Sequence, residues 1–108
     1  MTLAEHCYRF SKELPREELF GFTSQIRRSA ASIPANVAER YGRDSKGNYV
    51  NFLKTAQGSL KELETHLILA QRLTLGNFDF AERLLGQCDS IGRMLRALIR
   101  SVQKTAEA

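Results

Sequence analysis

The stretch RRSAASIPANVAERYGR, residues 27–43, decides how this chain is read. Ile33 and Val37 stand one turn apart among alanines, yet Pro34 sits between them. A mid-helix proline removes one hydrogen bond and pushes on the carbonyl four residues back, here that of Ala30. The cost is roughly 3 kcal/mol when nothing compensates. The flanking periodicity nevertheless stays in phase, because Ile33 and Val37 extend the stripe Leu19, Phe22, Ile26 and Ala30. One kinked helix therefore fits better than two. The residues around the proline, Ser29, Ala30, Ala31, Ser32, Ala35 and Ala38, are small. They let a second helix come close, and the serine hydroxyls can bond freed backbone groups.

The same period runs outward in both directions. Leu3, Cys7, Phe10 and Leu14 form a short stripe before this helix. Tyr49, Leu53, Ala56, Leu60, Leu63, Leu67 and Ala70 form one after it, with the alternating steps of a heptad seam. Ala81, Leu84, Cys88, Ile91, Leu95, Leu98 and Val102 form the last. No period-two pattern persists over a strand's length, so the chain reads as all-α. Pro15 suits the first position of helix 2, with Glu17 and Glu18 complementing its dipole. Gly42 ends that helix, Ser45 caps the next, Gly76 ends helix 3, and Asn77 or Asp79 starts helix 4. Helices are expected near residues 2–13, 15–41, 45–74 and 78–105, in one domain spanning 1–108. Short links make sequential neighbours antiparallel, which gives an up-and-down four-helix bundle with a short first helix and a proline-kinked second.

Two consequences follow from these lengths. Helix 1 spans roughly 18 Å and the other three roughly 40 Å each. One short helix cannot cover three long apolar stripes, so a second copy of the chain is expected to do so, making a homo-oligomer. If helices 2 and 3 fold back around residues 43–44, positions summing to about 87 face each other. Ser29 then meets Gly58, Gln25 lies near Glu62, and Thr23 near Glu64. A glycine that weakens mid-helix 3 by about 1 kcal/mol makes sense there as a point of close approach. Arg27 or Arg28 is expected to pair with those glutamates.

At 108 residues, 43% apolar and 26% charged, with 2 prolines and 7 glycines, the composition is that of one globular domain. Cys7 and Cys88 are far apart and in no C-x-x-C pair, which argues for a reducing cytosol over a disulfide or metal framework. The first residues carry charges and lack a signal-peptide core, and no apolar run nears the roughly 20 residues of a membrane span. A cytoplasmic protein without membrane association is expected.

The net charge of +4 is unevenly spread. Residues 27–54 hold Arg27, Arg28, Arg40, Arg43, Lys46 and Lys54 against only Glu39 and Asp44. Near the end, Arg93, Arg96, Arg100 and Lys104 follow one another without an intervening acid, at spacings that share one helical face. Such clusters attract polyanions, and these ten residues are the candidate RNA- or DNA-binding set. No helix-turn-helix, RNA-recognition or zinc motif accompanies them, so weak, shape-driven phosphate contact is expected, not base readout. A solvated face on a mildly basic protein is the plainer alternative.

Catalysis is not indicated. His6 and His66 lie on different helices with no constellation around either. Glu62 and His66, one turn apart, read more readily as a surface contact than a metal site. Glu62 and Glu64 point to different faces, and GRDSKG, residues 42–47, lacks phosphate-loop spacing. No metal or cofactor is expected.

The segments FGFTSQIRRSAASIPANVAERYGR, residues 20–43, and NFLKTAQGSLKELETHLILAQRL, residues 51–73, resemble the bacterial four-helix-bundle proteins encoded in intervening sequences of 23S rRNA genes. That family is similar to the accessory protein of diversity-generating retroelements, and the match runs from about Tyr8 to Lys104. The resemblance implies a bundle assembled as a ring-like homopentamer without known enzymatic activity. It also implies, by the retroelement branch, contact with nucleic acid and a reverse transcriptase. The chain departs from the family pattern in having no tryptophan, which family members usually carry in a stretch before the position of Met1, in Arg40 where glycine is usual, and in Asn48 where a glutamate would complete a capping box. Two readings result: nucleic-acid binding through the basic surface, or a scaffold that docks a partner protein such as a reverse transcriptase.

Overall fold

The computed structural model describes residues 2–39 and 46–107. Four α-helices carry the chain: α1 (Thr2–Ser11), α2 (Ser24–Ala38), α3 (Lys46–Arg72) and α4 (Phe78–Glu107). No strand occurs among the described residues. The helices pack as a closed ring of neighbours: α1 on α2, α2 on α3, α3 on α4, and α4 back on α1. The body measures 50 × 22 × 18 Å, its long axis matching the roughly 45 Å of a 30-residue helix.

The four apolar stripes meet in one core. Leu3, Cys7 and Phe10 of α1, Ile26, Ala30 and Ile33 of α2, Leu53, Ala56, Leu63 and Leu67 of α3, and Ala81, Leu84, Cys88 and Leu95 of α4 are all buried. Burying each large aliphatic or aromatic side chain contributes roughly 1.5–3 kcal/mol, which is what holds otherwise marginal helices in place. Phe10 meets Phe80 edge to face at 5.7 Å.

Helix α2 runs through Pro34 as one element. The regular geometry breaks earlier. Residues 15–23, expected as the first turns of helix 2, are instead an extended Pro15 (φ −56°, ψ 147°), a 3₁₀ turn at Arg16–Glu18, and a wide π-type turn at Leu19–Thr23. Gly21, at φ −106° and ψ −107°, is non-helical and redirects the chain there. Helix 2 is therefore 15 residues long. Leu19, assigned by periodicity to the core stripe, is exposed.

The register of α2 on α3 also differs from expectation. Arg28 bonds Glu62 and Ser32 Oγ accepts from Ser59 Oγ at 2.8 Å, positions that sum to 90 and 91, not 87. A three-residue slip is nearly one helical turn, enough to move Gly58 off the seam. Gly58 is exposed, and a Cβ built on it meets nothing within 4 Å. Ser29 instead donates to the Gln25 carbonyl at 2.7 Å, within its own helix. The expected stop at Gly42 and cap at Ser45 lie outside the described residues.

Helix ends are closed by specific bonds. At the end of α3, Thr74 (φ 54°) and Gly76 (φ 72°) take left-handed conformations, and the Leu75 amide donates back to the Ala70 carbonyl at 2.8 Å. Gly76 is required twice over, because a Cβ there would stand 2.9 Å from the Phe10 ring. Asn77 is the cap of α4, its Oδ1 accepting the Phe80 amide at 2.8 Å. The Asn77 amide in turn donates to Glu13 Oε1 at 2.9 Å, tying the end of α1 to the start of α4.

Candidate nucleic-acid interface

Nine of the ten candidate cations fall into three groups, with Lys54 of α3 apart from them. Arg40 and Arg43 lie outside the described residues, and Lys46 is placed only as the first residue of α3. Arg27 and Arg28, adjacent in sequence, part company. Arg28 pairs with Glu62 across the α2–α3 seam and also donates to Gln25 Oε1 at 2.6 Å. Among the described residues Arg27 meets no glutamate. Its Nε donates to Ser11 Oγ at 2.8 Å, and its guanidinium lies 4.3 Å over the Tyr8 ring.

The third group sits on the outer face of α4. Arg93, Arg96, Arg100 and Lys104 are exposed, opposite the buried Ala81, Leu84, Cys88, Leu95 and Ile99. Arg93 is partly neutralised by Asp89 at 3.2 Å, one turn earlier. Arg96, Arg100 and Lys104 form no ion pair among the described residues. On α3, Gly92 of α4 lies opposite Leu60, and Gln71 donates to Glu82 at 2.8 Å, so facing positions sum to about 152. Exposed Lys54 is therefore level with α4 residues next to Arg100, and Lys46 with those just past Lys104. The two enrichments separated in sequence thus share one end of the α3–α4 pair, while Arg27 and Arg28 belong to other faces. Helix register, which needs coordinates, is the missing signal.

Other polar groups are accounted for locally. His66 Nδ1 donates to the Glu62 carbonyl at 2.8 Å, while the Glu62 carboxylate serves Arg28. Gln87 Nε2 donates to His6 Nδ1 at 3.1 Å. Both thiols are buried, and burial pushes Cys7 and Cys88 up to about 12, with the nearby Cys7 and Glu64 adding to the effect on Cys88. Among the described residues no group of three or more His, Cys, Asp and Glu side chains is placed to hold a metal ion, and no helix is long and apolar enough to cross a membrane.

This arrangement of four helices has known counterparts. The model of the 23S rRNA-intervening sequence protein family matches residues 1–97. The chain belongs to that family. A solved structure from Bacteroides thetaiotaomicron, a protein of unknown function from the S23 ribosomal protein family, is similar over 90% of this chain and 97% of that one. At 23% identity and a TM-score of 0.72, it shows a shared fold. No curated protein matches the sequence. For this member of the 23S rRNA-intervening sequence proteins, the resemblance read from residues 20–43 and 51–73 thus extends over nearly the whole chain.

Proposed function

We propose that this is a non-enzymatic, cytoplasmic, homo-oligomeric protein that binds RNA or DNA weakly through phosphate contacts. The observation that carries the reading is the row Arg96, Arg100 and Lys104 on the outer face of α4, level with Lys54, with no paired carboxylate among the described residues. Arg40, Arg43 and Lys46 belong to the same proposal, and Arg93 contributes at the diluted edge of the row. Arg27 and Arg28 have a smaller part, each being already engaged within the protein.

The fold under this reading is an antiparallel up-and-down bundle, since partners on neighbouring helices fall in number on one as they rise on the other. Self-association, as a pentamer by the family resemblance, is favoured by apolar side chains left in solvent. Leu19, Phe20, Ile68, Leu69, Leu73 and Phe78 are all exposed and lie near the end where the α1–α2 turn meets the α3–α4 link. Repeating the α4 row around a ring multiplies its charge, and affinity then falls steeply with salt.

The test is binding of mixed-sequence RNA and DNA across a sodium chloride series. Charge reversal at Arg96, Arg100 and Lys104 is expected to flatten the salt slope by about 3. A slope indifferent to these changes sinks the nucleic-acid reading. The same apolar end supports a second reading, a scaffold docking a partner such as a reverse transcriptase, which predicts capture that survives complete nuclease treatment.

A further inference from the structure

Where α1 hands the chain to α2, a cleft of about 280 Å³ opens between the two elements. Its polar lining is Ser11, Lys12, Arg16, Thr23 and Arg27. Three of these are cations, and no carboxylate lines it. Of the acids near it in sequence, Glu17 is exposed and two others are directed elsewhere. Glu13 accepts the Asn77 amide, and Glu18 lies against Gly21. Among the described residues, Lys12, Arg16 and Arg27 form no ion pair.

Arg27 is held ready for a ligand. Its guanidinium is stacked on Tyr8, and its Nε is bonded to Ser11 Oγ, which is itself fixed by donating to the Tyr8 carbonyl at 2.7 Å. Stacking and one anchored N–H fix the plane of the group and leave its terminal N–H donors unused, the fork that suits a tetrahedral oxyanion. Lys12 approaches the same ring at 5.2 Å, which keeps two positive charges close together. Thr23 is the second, independent sign. It is only 3% exposed and lines the cleft, yet its hydroxyl makes no hydrogen bond among the described residues. No buried side-chain oxygen or nitrogen lacks a partner among the described residues, so the Thr23 hydroxyl is reached by solvent, and in the cleft it is a donor open to an acceptor oxygen.

We propose that this cleft binds a phosphate group, with oxygens on the terminal N–H groups of Arg27 and the Thr23 hydroxyl, and with Arg16 and Lys12 supplying charge. The site is on a different face from the α4 row and does not depend on it. Its volume approaches the lower end for small-molecule sites, so it accommodates a phosphate alone or one carried on a small organic group.

The test is a titration of the full chain with sodium phosphate at ionic strength held constant with sodium chloride, followed by backbone amide chemical shifts. Saturable shifts confined to residues 11–27 are expected. Arg27→Gln and Thr23→Val each weaken them about tenfold, a hydrogen bond to a charged group being lost in each case. Lys61→Gln, the same loss of charge on a distant exposed lysine, leaves them unchanged. Thr23→Val is nearly isosteric and keeps the test alive if Arg27→Gln does not fold. Adenosine 5′-monophosphate binding more tightly than inorganic phosphate, with adenosine not binding, identifies an organic phosphate as the source. Equal affinity identifies the free anion, and either result sustains the site. Saturation that persists with Arg96, Arg100 and Lys104 reversed separates it from the α4 reading. Shifts that do not saturate, or that ignore both Arg27→Gln and Thr23→Val, overturn it.

Discussion

Arg28 reaches across the α2–α3 seam to Glu62, while Arg27 beside it turns to Ser11 and Tyr8 of α1. The Arg28–Glu62 pair is exposed, at 57% and 36% of the side-chain surfaces, so water screens it. A double-mutant cycle with Arg28→Gln and Glu62→Gln, read by urea unfolding, is expected to give a coupling of about 0.2–1 kcal/mol. A coupling well above that range means the pair is more enclosed than this geometry allows.

Two glycines should respond in opposite senses. Gly76→Ala meets both a left-handed backbone and the Phe10 ring at 2.9 Å, and is expected to destabilise by about 2 kcal/mol or more. Gly58→Ala places its methyl in open space on an exposed helical face, so a gain of up to about 1 kcal/mol is expected. A loss at Gly58 restores the close approach that the residue pattern suggested.

The cysteines make a chemical prediction. Thiols held up to about 12 carry roughly one part in 10⁴ thiolate at pH 8, so native Cys7 and Cys88 should react with a thiol reagent only as fast as the chain unfolds. The folded values lie above the ordinary 9.0, so the folded chain holds more protons between the two values. Their contribution is complete below pH 9 and declines as pH rises from about 9 toward 12. Replacing both by alanine should shallow that alkaline decline; an unchanged slope assigns it to other groups.

Phe20, 91% exposed, is the most conspicuous apolar side chain in solvent. Phe20→Ser is expected to lower the mass seen by light scattering at a given concentration while leaving helix content unchanged. Wild-type chain that is monomeric at micromolar concentration removes the basis for this expectation.

The residue pattern reached the four helices and most of the core because both follow from local period. Leu53, Leu63, Leu67, Leu84 and Leu95 were each assignable from spacing alone and are each buried. Residues 15–23 were not, because a 3₁₀ turn, a π-type turn and α-helix differ by a fraction of a residue per turn, and periodicity over nine residues does not separate them. The site divided in the same way. The shared face of Arg93, Arg96, Arg100 and Lys104 is a property of one helix and was legible. The parting of Arg27 from Arg28, and the level shared by Lys54 and Arg100, depend on how helices slide past one another. That slide is set by an interhelix link whose length fixes register only to within a turn.

The bond from the Asn77 amide to Glu13 has a consequence for the order of events during synthesis. Its partners are 64 residues apart, and His6 and Gln87 are 81 apart, whereas α2 and α3 meet across a short connection. The α2–α3 hairpin can close while the rest of the chain is still being made. The apolar stripe of α1 packs on α2 as well as on α4, so its cover is complete only when α4 has left the ribosome. During that interval the α4 side of the stripe, where Phe10 meets Phe80, stays open to solvent. Pulse-labelled hydrogen exchange during refolding should accordingly find the amides of α1 protected last.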